Sequence, residues 1–407
     1  MLTRQGWLVL VGAGILVAGG RILGVLELFI LGASAAALVL IAAVVVYFTR
    51  PRLSVERDVS PPRVYAGNPS RVELVITNDG RRTSPVVRIF DAVSGTRGAD
   101  LLLGPLEPGV VARAAYRLPT DKRGLVQIGP LEVVVADPFG VAASSTRAAP
   151  VTELTVFPHV DDIVAVPHTS GDDPHAGAEH PSALGRSGED FYALRPYVVG
   201  DDLRRVHWRS TARRDELMVR QDELPWQGRV TVLLDVRRSG HSAASFELAV
   251  SAAASVITAS WRRRDLVRLV TTEGVDLGFA AGTAHAEAIM EYLATVHPTS
   301  GGTLRGAVDS LTIGSHAGAL VAIVGAVGDT ELAALGRLRR EMSFVTIVQF
   351  HQSAWDAGVA SDGGGLVAPG VLRVTRDVPF RDAWNTAFHH RTRGTTPLGV
   401  RPMTGTR

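Results

Sequence analysis

The chain has 407 residues, 46% of them apolar and 20% charged, a globular composition with room for two or three domains. Its net charge is only +2 and its cationic side chains are arginines apart from Lys122, so no strong basic field is present to draw in nucleic acid. Cysteine is absent, which excludes disulfides, thiolate catalysis and cysteine-based zinc sites.

The first elements are apolar. Leu28 to Phe48 runs for 21 residues without a charge, enough to cross a hydrocarbon core about 30 Å thick at about 1.5 Å per residue. Trp7 to Gly20 is a shorter run that extends towards Leu26 if Arg21 snorkels at the membrane edge. Residues 1–50 are therefore expected to form a membrane anchor, with spans at about 6–26 and 28–48. A cleaved signal peptide headed by Arg4 is the competing reading of the first run, and it would leave the second segment in place. Arg50, Arg52, Arg57 and Arg63 follow the second segment, whereas the intervening turn sets Arg21 against Glu27. That asymmetry predicts a multi-pass protein of the inner (cell) membrane with its soluble domains in the cytoplasm. Gly12 and Gly14 are expected to let the two helices pack closely rather than to open a dinucleotide fingerprint.

Residues 51–160 read as a β-sandwich of the immunoglobulin-like kind. Short β-rich runs at Arg71 to Thr77, Val86 to Phe90, Val110 to Leu118, Leu125 to Gly129, Leu131 to Val135 and Leu154 to Phe157 are separated by Gly67-Asn68-Pro69, Asn78-Asp79-Gly80, Glu107-Pro108-Gly109 and Asp137-Pro138. No catalytic cluster stands out there, which suits a spacer or a binding module. Residues 161–187 are expected to be a linker, polar and rich in Gly, Pro, Ser and Asp from His168 onwards. His168, His175 and His180 with Asp172, Asp173 and Glu179 put no pair at the i, i+4 positions that a helical metal site uses.

Residues 188–228 are dense in charge yet almost neutral, with eight acids and seven arginines between Glu189 and Glu223. This pattern suits arginine forks on carboxylates that fix a surface geometry. Arg204, Arg205, Arg209, Arg213 and Arg214 with Trp208 would make a phosphate and base-stacking patch, but the interleaved acids screen it. His207 beside Asp201 and Asp202, flanked by Trp208, is the best enzyme-like candidate, although a lone histidine in such a segment is more often a hydrogen-bonded structural residue. It lacks a nucleophile elbow, and no phosphate-binding Walker loop is present.

From Arg229 the period changes. Strands at Arg229 to Asp235, Leu266 to Thr271, Ala319 to Val327 and Ser343 to Phe350 alternate with helices at Ala243 to Arg262, Ala284 to Val296, from Thr303, Asp329 to Glu341 and near Phe380 to His390. This alternation predicts a doubly wound parallel α/β domain over 229–391, with ligands at the carboxyl ends of its strands. Residues 392–407 are expected to be a disordered tail.

Gly188, Glu189, Phe191, Leu194, Arg195, Tyr197, Gly200, Asp201, Asp202, Arg204, Trp208, Ala212 and Arg213, followed by Val219, resemble the signature of the DUF58 family, bacterial membrane-anchored proteins of uncertain activity. Arg123-Gly124, Gly129-Pro130, Asp137-Pro138-Phe139-Gly140 and Phe157-Pro158 look like the lead-in of such proteins. Relatives commonly carry an acid where His207 stands, which counts against a required imidazole. The strand end Asp235 to Ser239 resembles the opening of a von Willebrand factor A domain, and Ser239, Thr303 and Asp329 are placed like further ligands of that fold's divalent-metal site. Such hard oxygen donors suit Mg²⁺. Arg237 stands where the pattern needs a hydroxyl, and a guanidinium donates without accepting. The site is therefore read as degenerate, with Arg237 paired to Asp235 and no cofactor expected.

The resemblance implies a partner, a MoxR-type AAA+ ATPase, and a role in envelope assembly, maturation or stress response. The expectation is thus a multi-domain, membrane-anchored interaction protein, not an enzyme, with Glu189, Arg195, Tyr197, Asp201, Asp202, Arg204, Trp208 and Arg213 as its contact surface. The competing readings are an enzyme acting on an envelope polymer or lipid precursor and, less supported, a nucleic-acid-binding membrane protein.

Overall fold

The computed structural model describes residues 2–49, 51–167, 191–197, 206–214, 216–222, 228–313, 318–350, 354–355 and 370–393. The chain divides into two compact units, Met1–Val160 with Met290–Val296, and Asp161–Ile289 with His297–Arg407.

The first unit opens with α1 (Arg4–Leu23) and α2 (Leu26–Phe48), both long and apolar enough to cross a membrane. Thr3 caps α1, its Oγ1 accepting from Gly6 N at 3.0 Å. The helix stops at Leu23 because Gly24 adopts φ 70°, a left-handed cap whose N–H donates to the Gly20 carbonyl. The first span therefore does not run on to Leu26, which starts α2. The expected roles of Gly12 and Gly14 are also corrected. A Cβ on either would meet open space, whereas one on Gly20 would lie 2.6 Å from Phe29 N and one on Gly32 2.7 Å from Ala13 O. Gly20 and Gly32 are the residues that bring the two backbones together.

Nine strands follow: β1 (Leu53–Ser60), β2 (Arg63–Tyr65), β3 (Arg71–Asn78), β4 (Val87–Val93), β5 (Ala99–Leu103), β6 (Val111–Arg117), β7 (Gly124–Ala136), β8 (Ala143–Ala149) and β9 (Thr152–Phe157). They form a three-stranded sheet in the order β1-β3-β6 and a six-stranded sheet in the order β2-β9-β7-β4-β5, with β8 on β7. Alternate residues such as Val72, Leu74 and Ile76 of one sheet and Ile89, Leu131 and Val156 of the other meet in one core. The two runs expected on either side of Gly129 are a single strand. Gly129 takes φ 103°, so β7 pairs with β9 through Gly124 to Ile128 and with β4 mainly beyond the kink. Arg57 on β1 bridges the sheets, reaching Asp91 on β4 at 2.8 Å and Thr152 on β9 at 2.8 Å.

The second unit begins with Asp161 to Pro167, part of the expected linker, which is tied down. Asp161 N donates to Ser255 Oγ at 2.9 Å, and Val164 is held by Asn385 Oδ1 at 2.9 Å and by Trp384 Nε1 at 2.7 Å. An antiparallel pair, β10 (Phe191–Pro196) and β11 (Met218–Asp222), brackets α3 (Trp208–Arg214). Then come β12 (Arg229–Leu234), α4 (Ala243–Arg262), β13 (Leu266–Thr271), α5 (Thr283–Thr295), α6 (Leu304–Ile313), β14 (Ala319–Val324), α7 (Asp329–Arg337), β15 (Phe344–Phe350), β16 (Val371–Val374) and α8 (Phe380–Arg393). The sheet order is β13-β12-β14-β15-β16 and every pairing is parallel. After β12 the chain adds β13 on one side and later β14 on the other, which makes the carboxyl end of β12 the topological switch point. α4 is as apolar as a membrane span, but it is buried as a layer of this unit.

Candidate functional site

Asp235 is the first residue after β12 and is completely buried. Its backbone N–H donates to the Ile323 carbonyl at 2.9 Å, so the residue still sits in the sheet and its carboxylate emerges at the switch point. Arg237 grips that carboxylate with both arms, Nε to Oδ1 at 2.9 Å and Nη2 to Oδ2 at 2.9 Å, and its backbone N–H adds a bond to Oδ1 at 3.0 Å. The remaining arm, Nη1, donates to Glu331 Oε1 at 2.7 Å. Thr272 Oγ1, at the end of β13, stands 3.3 Å from Asp235 Oδ1 and also accepts from Val236 N at 3.0 Å. A fork donating bidentately to one carboxylate and singly to a second is a strong, geometrically specific arrangement. Hydrogen bonding to Asp235 pushes the Arg237 pKa up against the opposing effect of burial, so the cation is permanent.

The surrounding backbone is shaped for this cluster. A Cβ on Gly240 would lie 3.1 Å from Asp235 Oδ2, and one on Gly325 would collide with the Gly240 carbonyl. Ser242 caps α4, its Oγ accepting from Ser245 N at 3.2 Å while Ser245 Oγ accepts from Ser242 N at 2.9 Å. His241 is buried beside the cluster, with its ring edge-on to Phe246 and with no hydrogen-bond partner for Nε2 among the described residues. Burial drives its pKa down and the nearby Asp235 only partly opposes this, so the imidazole is neutral.

The candidate metal ligands do not converge. Ser239 is exposed in the turn Arg238–Gly240. Thr303 is exposed and its Oγ1 accepts from Gly306 N at 3.0 Å, which caps α6. Asp329 is exposed as the first residue of α7. Glu331, two residues on, is the acid that meets the cluster, and its second oxygen accepts from Gly328 N at 3.2 Å. The sequence signal for it was available. An acid at the third position of a helix reaches back over its own N-terminus, and here that points it to the strand ends. Both Asp235 oxygens already face a guanidinium, so this donor set does not fit Mg²⁺. Among the described residues, no group of three or more His, Asp or Glu side chains lies close enough to hold a metal ion.

In the charged segment, Glu189, Asp201, Asp202 and Arg204 lie outside the described residues, as do His168, His175 and His180 before them. Arg195 is placed by its backbone, opposite Val219 in the β10–β11 pair. Tyr197 N donates to the Leu217 carbonyl at 2.7 Å, continuing that pairing past the strand ends, and His207 N donates to the Met218 carbonyl at 2.7 Å. His207 Nδ1 lies 2.8 Å from Ser210 Oγ, and Thr211 Oγ1 accepts from Met218 N at 3.0 Å. The imidazole thus braces the start of α3, while the His207 backbone and the Thr211 hydroxyl tie that helix to β11. Trp208 is 67% exposed and Arg209 and Arg213 are exposed, so α3 presents an aromatic and two cations to solvent.

Residues 193–351 match the model of a family described as "Protein of unknown function DUF58". The chain carries a DUF58 domain. The domain takes in α3 with Trp208 and Arg213, and the whole cluster of Asp235, Arg237, Thr272 and Glu331. No curated protein matches the chain. Among solved structures, the chain is similar to the CARDB domain of a Pyrococcus furiosus protein crystallised with di-metal ions, at 19% identity and a TM-score of 0.21 over 27% of this chain and 94% of that one. It is also similar to the alkylpurine DNA glycosylase AlkC of Pseudomonas fluorescens bound to DNA, at 12% identity and a TM-score of 0.19 over 32% and 39% of the two chains. A β-glucosidase of Listeria innocua in complex with glucose follows at 14% identity and a TM-score of 0.16, over 25% and 17%.

Proposed function

We propose that this chain is a membrane-tethered interaction protein whose DUF58 domain faces the cytoplasm and docks a MoxR-type AAA+ ATPase acting in envelope assembly, maturation or stress response. The observation that carries this reading is the Arg237 guanidinium at the switch point. It fills the place where a sheet of this kind would hold a ligand and ties it to Asp235 and Glu331. With that position closed, the exposed aromatic and cations of α3 are the better surface for recognition. Finer folds, an immunoglobulin-like sandwich and a von Willebrand A-like α/β domain, are part of the same proposal.

Four measurements test it. Charge reversal at Asp201 and Asp202, or Trp208→Ala with Arg213→Glu, is expected to abolish co-purification of the ATPase from solubilised membranes without unfolding the chain, and retained co-purification overturns the docking surface. Saturable, Asp235-dependent uptake of Mg²⁺ by the intact chain in calorimetry would overturn the closed pocket. Because the chain has no cysteine, a cysteine introduced at exposed Arg213 is expected to resist a membrane-impermeant maleimide in intact cells and to react after lysis; reaction before lysis reverses the topology. Turnover of an envelope polymer or lipid precursor in activity profiling would favour the enzyme reading instead.

A further inference from the structure

The end of the β domain that adjoins the helical hairpin is built unlike its other faces. α1 starts and α2 ends at this end, where Trp7, Tyr47 and Phe48 are exposed. The turn between β7 and β8 is fastened to it. Thr3 N donates to Val141 O at 3.0 Å and Thr3 Oγ1 to Gly140 O at 2.6 Å. A Cβ on Gly6 would collide with the Val141 carbonyl, and Val141 and Ala142 share a buried cluster with Val46 of α2. The turn therefore lies level with the first turn of one apolar helix and the last turn of the other. Asp137 shapes it, its carboxylate accepting from Phe139 N at 2.8 Å and from Ala142 N. Phe139, at the tip, is 65% exposed.

Strand register extends this end into a rim. β1 leaves α2 at Leu53, which faces Asn78 on β3, and Thr77 beside it faces Val111 on β6. In the other sheet Val134, two residues before the end of β7, faces Arg88, which faces Leu102. The rim is rigid: Asn78 Nδ2 donates to Leu106 O at 2.8 Å and to Arg82 O at 2.9 Å, and Ser84 N to Leu106 O at 2.9 Å. Of the seven large apolar side chains exposed on the β strands and their loops, five lie at this rim: Val86, Leu102, Val110, Val111 and Phe139. Five exposed arginines, Arg4, Arg52, Arg81, Arg82 and Arg88, accompany them against the exposed acids Asp79, Asp100 and Glu107, Arg88 being paired with Asp100.

We infer that this rim is a second membrane contact, seated on a bilayer surface bearing anionic headgroups, with Phe139 and Leu102 entering the interface and Arg81 and Arg82 meeting phosphate. The inference rests on the reading that the hairpin spans a membrane. The occupant is a lipid surface because the rim is continuous with the lipid-facing helices and carries the pairing of aromatic or apolar side chains with cations that interfaces select. Scattered apolar residues on a soluble face would need no explanation. Here they gather at the one end that the anchor brings to the membrane, and the sandwich is seated on the bilayer instead of swinging on a tether.

Single cysteines placed in the cysteine-free full chain test this with bimane fluorescence and nitroxide-labelled lipids, in vesicles of phosphatidylcholine with or without phosphatidylglycerol. Leu40→Cys, within α2, reports the anchor and is expected to be quenched by tail-labelled lipid. Phe139→Cys and Leu102→Cys are expected to be quenched by interface-labelled lipid at least about twofold more than Leu125→Cys at the opposite end of β7. Reversing Arg81 and Arg82 to Glu should weaken that quenching only with phosphatidylglycerol present. Quenching at position 40 but not at 139 and 102 overturns the rim and leaves the anchor standing. Absence of quenching at 40 overturns the anchor itself. Shielding of 139 and 102 by a co-purified protein, without lipid quenching, also overturns the lipid contact.

Discussion

Two buried arginine–aspartate pairs, one in each unit, use the same chemistry for different ends. In the β domain Arg57 and Asp91 are both almost inaccessible, and every outward contact they make returns to the sandwich: Arg57 to Thr152 and Pro150, and Asp91 to the Tyr116 hydroxyl at 2.6 Å. Burial, then the bond to Asp91, holds the Tyr116 hydroxyl protonated well above its ordinary range. This pair fastens strands of two sheets. In the DUF58 domain Asp235 is just as buried, but Arg237 keeps 16% of its side chain accessible and links a strand end to the first turn of α7. What differs is the position in the fold. The first pair lies within a core, the second at a switch point where ligands bind, and only the second closes a potential site.

Breaking the pairs tests that contrast. Asp91→Ala strands the Arg57 cation in the core and is expected to cost about 3–5 kcal/mol, seen as a large loss of urea resistance of the β domain in detergent-solubilised protein. Asp235→Asn should cost less, on the order of 2 kcal/mol, because Arg237 keeps Glu331 and some water; equal losses in the two variants would erase the distinction. A smaller effect is expected from His241. Its folded pKa lies below the unfolded value of about 6.5, so the unfolded chain takes up the proton first as pH falls. The contribution is complete above that pH and is lost below it. His241→Leu should flatten the acid limb of a thermal-melting profile between pH 7 and 5, and an unchanged slope would remove His241 from the account. The smallest effect is expected from the exposed pair Arg88 and Asp100, whose mutual bonding lowers the aspartate pKa and raises that of the arginine. Asp100→Asn should leave the melting midpoint unmoved, since solvent screens such pairs.

Much of this architecture was legible in the sequence. The bounds of α4 and β13 agree to the residue, because a long apolar helix with a serine cap and a short buried strand each carry a strong local signal. β8, with Ser144, Ser145, Thr146 and Arg147, and the four-residue β16 were missed, since edge strands need little apolar patterning. Of the ion cluster, Asp235 and Arg237 could be read from a two-residue spacing at a strand end. Glu331 lies 94 residues from Arg237, and its place at the third position of a helix marks it as an N-terminal acid without naming its partner; Thr272 reaches Asp235 from a neighbouring strand, so both pairings became visible only once the sheet order was known. The glycines of the hairpin teach the same lesson. Which face of α1 meets α2 depends on the turn at Gly24, and no count along α1 alone selects Gly20 over Gly12.

The bond from Trp384 to Val164 determines where the chain can be divided. Trp384 is wholly enclosed, and its indole N–H finds its acceptor in a segment that precedes the family match by almost thirty positions. A fragment begun at Gly188, where the recognisable signature starts, would strip from α8 both that acceptor and the Val164 N–H that donates to Asn385. Unmet polar groups and bared aromatics of this kind drive aggregation in truncated proteins. A fragment begun at Asp161 retains both, and with its other tryptophans replaced the emission of Trp384 then gauges whether the α/β unit has closed.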